Sequence, residues 1–216
     1  MPKIQSRKKP FSAAAYYMMR GLPLKPLLGR KMTHPSRDNK ALQPEKFSSE
    51  IEVLIRQSAT SRILTICASA PEKHTKSHII FLHGGGYAMQ ALSFHRRFAE
   101  QLALQTGSYV SLLDFPLPPE VHCMETLNAV MRMYTTLSLL YQHHRLILMG
   151  DSAGGGLALA LRQMLNNSPA GNPAGKNRRH VVPDRLVLYS PWLDISLSNL
   201  DSRSYHTRRE ALLPLS

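Results

Sequence analysis

The sequence predicts an α/β fold, with a mostly parallel sheet flanked by helices. Two observations carry that expectation. From residue 51 onward, short β-branched or continuous apolar runs alternate with longer stretches of helical periodicity, as βαβ winding requires. Two glycine clusters, 84–86 and 154–156, each follow an apolar run, and sites in such sheets form at the carboxyl ends of strands. The 216 residues suffice for one domain with a sizeable core.

In chain order, residues 1–50 are basic and proline-broken (Pro23, Pro26, Pro35, Pro44) and read as a cap or connector segment. Residues 51–216 read as the α/β core. Ile51–Ile55 and Arg62–Cys67 are β-branched runs that predict an antiparallel strand pair. His78–Leu82 is continuously apolar, as befits a strand buried on both faces. A helix is expected over Ser93–Gln105, with Phe94, Phe98, Ala99 and Leu102 as its apolar stripe and Gly107 as its stop. A strand over Ser108–Asp114 and a proline turn at Pro116–Pro119 precede a helix over Val121–Tyr141. Its stripe is Met124, Leu127, Val130, Met131, Tyr134, Leu137 and Tyr141. Arg145–Met149 predicts a strand, Leu157–Leu165 a helix, Asn166–Asn177 a loop, and Arg185–Tyr189 a further strand.

Two motifs carry chemistry. Gly150-Asp151-Ser152-Ala153-Gly154 fits G-x-S-x-G, in which a serine sits on a tight strand-to-helix turn with its hydroxyl clear of the sheet. Glycines two positions either side avoid a clash at so sharp a turn. The helix that follows points its free N–H groups at the site, favouring developing negative charge. A phosphate loop is excluded because Gly156 and Leu157 stand where Lys and Ser/Thr are needed, and neither cluster carries G-x-G-x-x-G. A glycine-rich turn with no chemistry is the bland alternative. The second motif, His83-Gly84-Gly85-Gly86-Tyr87, has the HGGG form whose N–H groups stabilise an oxyanion, each donor contributing on the order of 3 kcal/mol. His83 itself reads as a structural hydrogen-bonder and not as a catalytic base.

With these residues in view, the chain resembles the hormone-sensitive-lipase-like esterases of the α/β-hydrolase superfamily. HGGGY at 83–87, DFPLPPE at 114–120, GDSAGGG at 150–156 and SPWLD at 190–194 are similar to four successive blocks of that family, over roughly residues 50–200. The resemblance implies an α/β-hydrolase fold, Ser152 as nucleophile, and Gly85, Gly86 and Ala153 as oxyanion-hole donors. It implies hydrolysis of small-molecule carboxylic esters through an acyl-enzyme, no metal or organic cofactor, and an N-terminal segment that helps cover the site. Asp194 falls in a block that the resemblance makes structural.

The triad order in this fold is Ser, Asp or Glu, then His, and the resemblance puts the last two after two further strands. Only 22 residues follow Asp194, fewer than a βαβ step of about 30 residues. The chain is therefore expected to lack the last strands, as a C-terminally truncated form would. Its activity would be weak or absent, and its unpaired sheet edge would promote association. Asp194 with His206 has the right chain order for a substitute pair. His180 precedes the last strand, and His143 and His144 fall at the entrance of the elbow strand, away from the site.

Composition bounds the alternatives. Lys and Arg total 27 against 14 Asp and Glu, a formal charge of +13, which raises nucleic acid or an anionic membrane as partners. No basic run is interleaved with aromatics, so nucleic-acid binding is not expected. A non-catalytic remnant that binds anions or membranes through its basic face is the alternative function. Lys3 to Met19 has the order of parts of a secretory signal. The apolar stretch is short, however, and runs into Arg20 and Lys25, so a basic amphipathic helix is the better reading. No run approaches the roughly 18 apolar residues of a membrane span. Cys67 and Cys123 lack metal spacing and read as free, buried thiols in a reducing, cytoplasmic setting.

Overall fold

A computed structural model describes residues 42–58, 60–70, 72, 74–167 and 182–194, all within one compact unit, Pro35–Ile195. After a 3-10 turn at Pro44–Lys46, the elements are β1 (Ile51–Gln57), β2 (Arg62–Ala68), β3 (Ser77–Leu82), α1 (Ser93–Thr106), β4 (Tyr109–Asp114), α2 (Cys123–Leu140), β5 (Arg145–Asp151), α3 (Ser152–Asn167) and β6 (Arg185–Tyr189).

The sheet runs in the order β1-β2-β4-β3-β5-β6. β1 pairs antiparallel with β2, and β2 antiparallel with β4. The other neighbours, β4-β3, β3-β5 and β5-β6, are parallel. The expected early antiparallel pair and the parallel remainder are both present. β3 sits between β4 and β5, so the two strands that end in glycine clusters lie side by side and point the same way. Leu82 at the end of β3 is in register with Gly150 of β5.

Each face of the sheet carries its own core. On one, Ile80, Leu82, Leu113, Leu146 and Leu148 pack against Val130, Tyr134 and Leu137 of α2 and Leu157, Ala158 and Leu161 of α3. On the other, Leu64, Ile66, Phe81, Val110 and Leu112 pack against Ala99 and Ala103 of α1. Helix ends follow their capping residues. Gly107 closes α1 in the left-handed region at φ 65°, and the Glu125 carboxylate accepts the His122 N–H at 2.8 Å to open α2.

Three expectations are corrected. Phe94 and Phe98 are not buried: they are 53% and 42% exposed, the Phe98 ring touching Phe81 only edge-on, and the buried face of α1 is His95, Ala99, Glu100 and Ala103. Two alanines let the helix approach β2 and β4 closely, which leaves the phenyl rings on its flank. Met124 is likewise exposed at the start of α2. The helix expected from Leu157 begins at Ser152, because its glycines serve close packing that outweighs their poor helix propensity. Finally, both cysteines are free, but Cys67 is only half-buried and Cys123 is exposed at the mouth of α2. Most of 1–50, His180, His206 and most of the 166–177 loop lie outside the described residues.

Candidate active site

The elbow is built by close contact. Ser152 follows β5 directly and takes φ 48°, in the left-handed region that non-glycine residues rarely adopt. A Cβ on Gly150 would collide with the Gly154 carbonyl, and one on Gly154 with the carbonyls of Leu82 and His83. Glycine at both positions lets β5 turn into α3 while α3 presses against the end of β3. Ser152 is half-buried and Ala153 is buried. Both lie in the first turn of α3, where backbone N–H groups have no helical acceptor.

The facing loop leaves β3 one residue later. Gly85 takes φ 137°, and a Cβ there would stand 2.6 Å from the Met89 carbonyl oxygen, so that position is restricted to glycine. Its own carbonyl accepts the N–H groups of Ala88 and Met89 at 3.2 and 2.9 Å, closing a tight turn. The N–H groups of Gly85 and Gly86 donate no hydrogen bond among the described residues.

Loop and elbow are joined through Asp151. Its Oδ1 accepts the Gly84 N–H at 2.8 Å, and its Oδ2 lies 3.4 Å from His95 Nε2. Burial alone would raise the Asp151 carboxyl. The His95 contact, the Gly84 N–H and the His83 ring outweigh it and hold the group below its ordinary value. His83 is buried, stacks on Phe115 at 4.6 Å, and its Nδ1 donates to the Gly84 carbonyl at 2.8 Å. Burial depresses its pKa to about 4, so the ring is neutral and acts as a brace for the loop. Sequence reasoning singled out neither Asp151 nor His95. The first is the unspecified second position of G-x-S-x-G, and the second sits in a helix whose stripe looked apolar.

The segment after β6 braces the site from the other side. The Trp192 N–H donates to the Ser152 carbonyl at 2.8 Å, and the Tyr87 hydroxyl donates to the Trp192 carbonyl at 3.0 Å. A Cβ on Gly156 would meet that hydroxyl. Beside these contacts lies a cavity of about 530 Å³, lined by Gly86, Tyr87, Met124, Leu127, Leu157 and Trp192 among others. Its apolar walls suit the hydrocarbon part of a small ligand.

Among the described residues, no histidine hydrogen-bonds the Ser152 hydroxyl, and His143 and His144 stand at the entrance of β5, the far end of the sheet. Asp194 accepts the Trp192 indole N–H through its backbone carbonyl at 2.8 Å, while His206 is outside the described residues. Also among the described residues, no three His, Cys, Asp or Glu side chains group to hold a metal, and no helix is long and apolar enough to cross a membrane.

Comparison with known proteins identifies the fold family. A family model described as alpha/beta hydrolase fold matches residues 79–215. An esterase of Acinetobacter venetianus is 33% identical over 138 residues, which is 63% of this chain and 42% of that protein. An acetyl-hydrolase of Streptomyces hygroscopicus is 32% identical over 144 residues, 65% of this chain and 43% of the relative. The chain thus spans under half the length of these curated relatives. A crystal structure of an esterase from the bacterial hormone-sensitive lipase family superposes with a TM-score of 0.64 at 23% identity, covering 88% of this chain and 60% of that one. The matched model spans well over half of the sequence: this chain belongs to the alpha/beta hydrolase fold family.

Proposed function

We propose that this chain carries the nucleophile and oxyanion hole of a carboxylic ester hydrolase. One observation supports this above the rest: the Ser152 turn and the Gly85–Gly86 turn leave adjacent parallel strands at the same end of the sheet, linked through Gly84 and Asp151. In this reading the Ser152 oxygen attacks the ester carbonyl carbon. The carbonyl oxygen gains negative charge and is held by the N–H groups of Gly85, Gly86 and Ala153. The alcohol leaves with a proton, and water then cleaves the acyl-serine. The apolar cavity beside Gly86 takes the hydrocarbon part of the ester. We keep a reducing, cytoplasmic setting as part of this reading, in line with two free thiols.

The test is turnover of p-nitrophenyl acetate and butyrate, with mass detection of an acyl adduct on Ser152. Ser152→Ala is expected to abolish turnover above background. Equal turnover by wild type and Ser152→Ala would remove the hydrolase reading, and salt-sensitive binding to acidic vesicles that survives the substitution would put the anion-binding alternative in its place. His206→Ala decides the proton acceptor: unchanged turnover excludes the Asp194/His206 pair.

A further inference from the structure

We infer that His95 and Asp151 form a positioning pair that fixes the gap between Ser152 and the oxyanion-hole donors. The inference rests on the serine chemistry proposed above and adds two residues to it, neither of which touches substrate.

Asp151 is the residue before the nucleophile, and Gly84 the residue before the first proposed donor. The 2.8 Å bond from the Gly84 N–H to Asp151 Oδ1 therefore ties the two halves of the site together, one residue back from each. A carboxylate on a freely turning side chain would hold that bond loosely. Here the second oxygen also has a close neighbour: His95 Nε2 stands 3.4 Å from it, at ion-pair distance though not in hydrogen-bond geometry. His95 has no freedom of its own. It is 2% exposed, and its Nδ1 accepts the Leu92 N–H at 2.9 Å, just before α1 begins. With Nδ1 acting as acceptor, the ring proton of a neutral His95 must sit on Nε2, facing the carboxylate. Gly84 approaches so closely that a Cβ would strike Asp151 Oδ2. Behind the loop, the His83 ring lies 5.6 Å from that of His95 and is itself stacked on Phe115. The chain of support thus runs from α1 through His95 and Asp151 to the glycine turn, the arrangement by which surrounding residues hold a constellation in place. His95 Nε2 is buried and has no hydrogen-bond partner, with the Asp151 carboxylate 3.4 Å away, so the part of His95 is placement and not proton transfer.

Four full-length chains test the pair: wild type, Asp151→Asn, His95→Gln and the double variant. Asp151→Asn keeps an oxygen for the Gly84 N–H but turns an NH2 toward the His95 Nε2–H, so donor meets donor. Adding His95→Gln supplies an amide oxygen that can accept from that NH2. Two readouts are taken, the kinetics of p-nitrophenyl acetate above the Ser152→Ala background and backbone hydrogen exchange over 83–89. Misplacing an oxyanion donor costs up to about 10²–10³-fold in kcat. Asp151→Asn is expected to lose about tenfold to a hundredfold in kcat, with KM within about twofold and exchange over 83–89 about tenfold faster. The double variant is expected to recover part of both losses. Unchanged exchange over 83–89 in Asp151→Asn, or a double variant no better than the two single losses multiplied, overturns the pair. If wild type shows no Ser152-dependent turnover, the hydrolase reading fails by itself. Exchange then decides the inference: acceleration confined to 83–89 upholds it, and none overturns it. Should Asp151→Asn fail to fold, His95→Gln alone carries the same readouts, because it leaves the Asp151–Gly84 bond intact.

Discussion

Two buried histidines set the response of this protein to acid. Burial pushes His83 down to about 4 and, with the nearby His144 and Arg56 charges, His78 down to about 3. In the unfolded chain both titrate near the ordinary value of about 6.5. Above that value neither state binds the proton, and stability is at its full level. Between about 6.5 and 4 the unfolded state takes up protons that the folded state refuses, so stability falls as pH falls. The loss levels off only below the folded values. For His83 the gap corresponds to roughly 3 kcal/mol. Asp151, held below its ordinary value, adds a loss in the same direction at still lower pH. Urea midpoints should therefore drop steeply from pH 7 to pH 4.5. A midpoint that stays flat across that range would show that these rings are accessible and titrate freely.

At the scale of elements, the sheet is tied by a polar seam as well as by its ladders. The Ser111 hydroxyl of β4 lies 2.7 Å from Thr65 Oγ1 of β2 and 2.7 Å from His78 Nε2 of β3, all three buried. Ser111→Ala leaves two buried polar atoms without this partner, each at a cost of about 1–3 kcal/mol. A loss of about 2–3 kcal/mol in denaturant unfolding is expected, and Thr65→Val in the same background should recover part by removing one orphan. A loss within 0.5 kcal/mol, as is usual at indifferent surface sites, would count against the seam. Such contacts mark the limit of what the sequence reveals. β3 and β5 were legible because buried parallel strands are continuous apolar runs, β6 because it is an apolar run of strand length although its residues are half-buried or exposed, and the elbow because its glycines are required by Cβ contacts at fixed spacing. The buried face of α1 was not. Its apolar residues lie on both sides of the Ala99–Ala103 line, and only the distance to the sheet decides which side is covered. That β3 inserts between β4 and β5, bringing the two glycine turns together, is a matter of strand order that periodicity does not encode. The His95–Asp151 contact was hidden for the same reason: its partners are fifty-six residues apart and meet only once that order is fixed.

For the whole molecule, the sheet margin at β6 and the net charge pull in opposite directions. Among the described residues β6 pairs with β5 alone. On the α1 side of the sheet, Phe81, Met149 and Val187 stand in register across β3, β5 and β6, and Phe98 packs on Phe81. Val187 is 41% exposed, and Tyr189, two residues on along the same face, is 71% exposed. A strand edge that no described strand pairs with, beside an apolar strip, favours self-association. Against this stands a formal charge of +13, which repels a second copy over a Debye length of about 10 Å at 0.1 M salt but only about 3 Å at 1 M. Association should therefore increase with ionic strength, opposite to any anion binding through the basic surface, which salt weakens. Sedimentation velocity across a salt series checks this, and Val187→Lys with Tyr189→Lys should suppress the salt-promoted species by placing charge on both the edge and the strip. A monomer at every salt concentration, or association unaffected by these two substitutions, would mean that the β6 margin is not what brings the copies together.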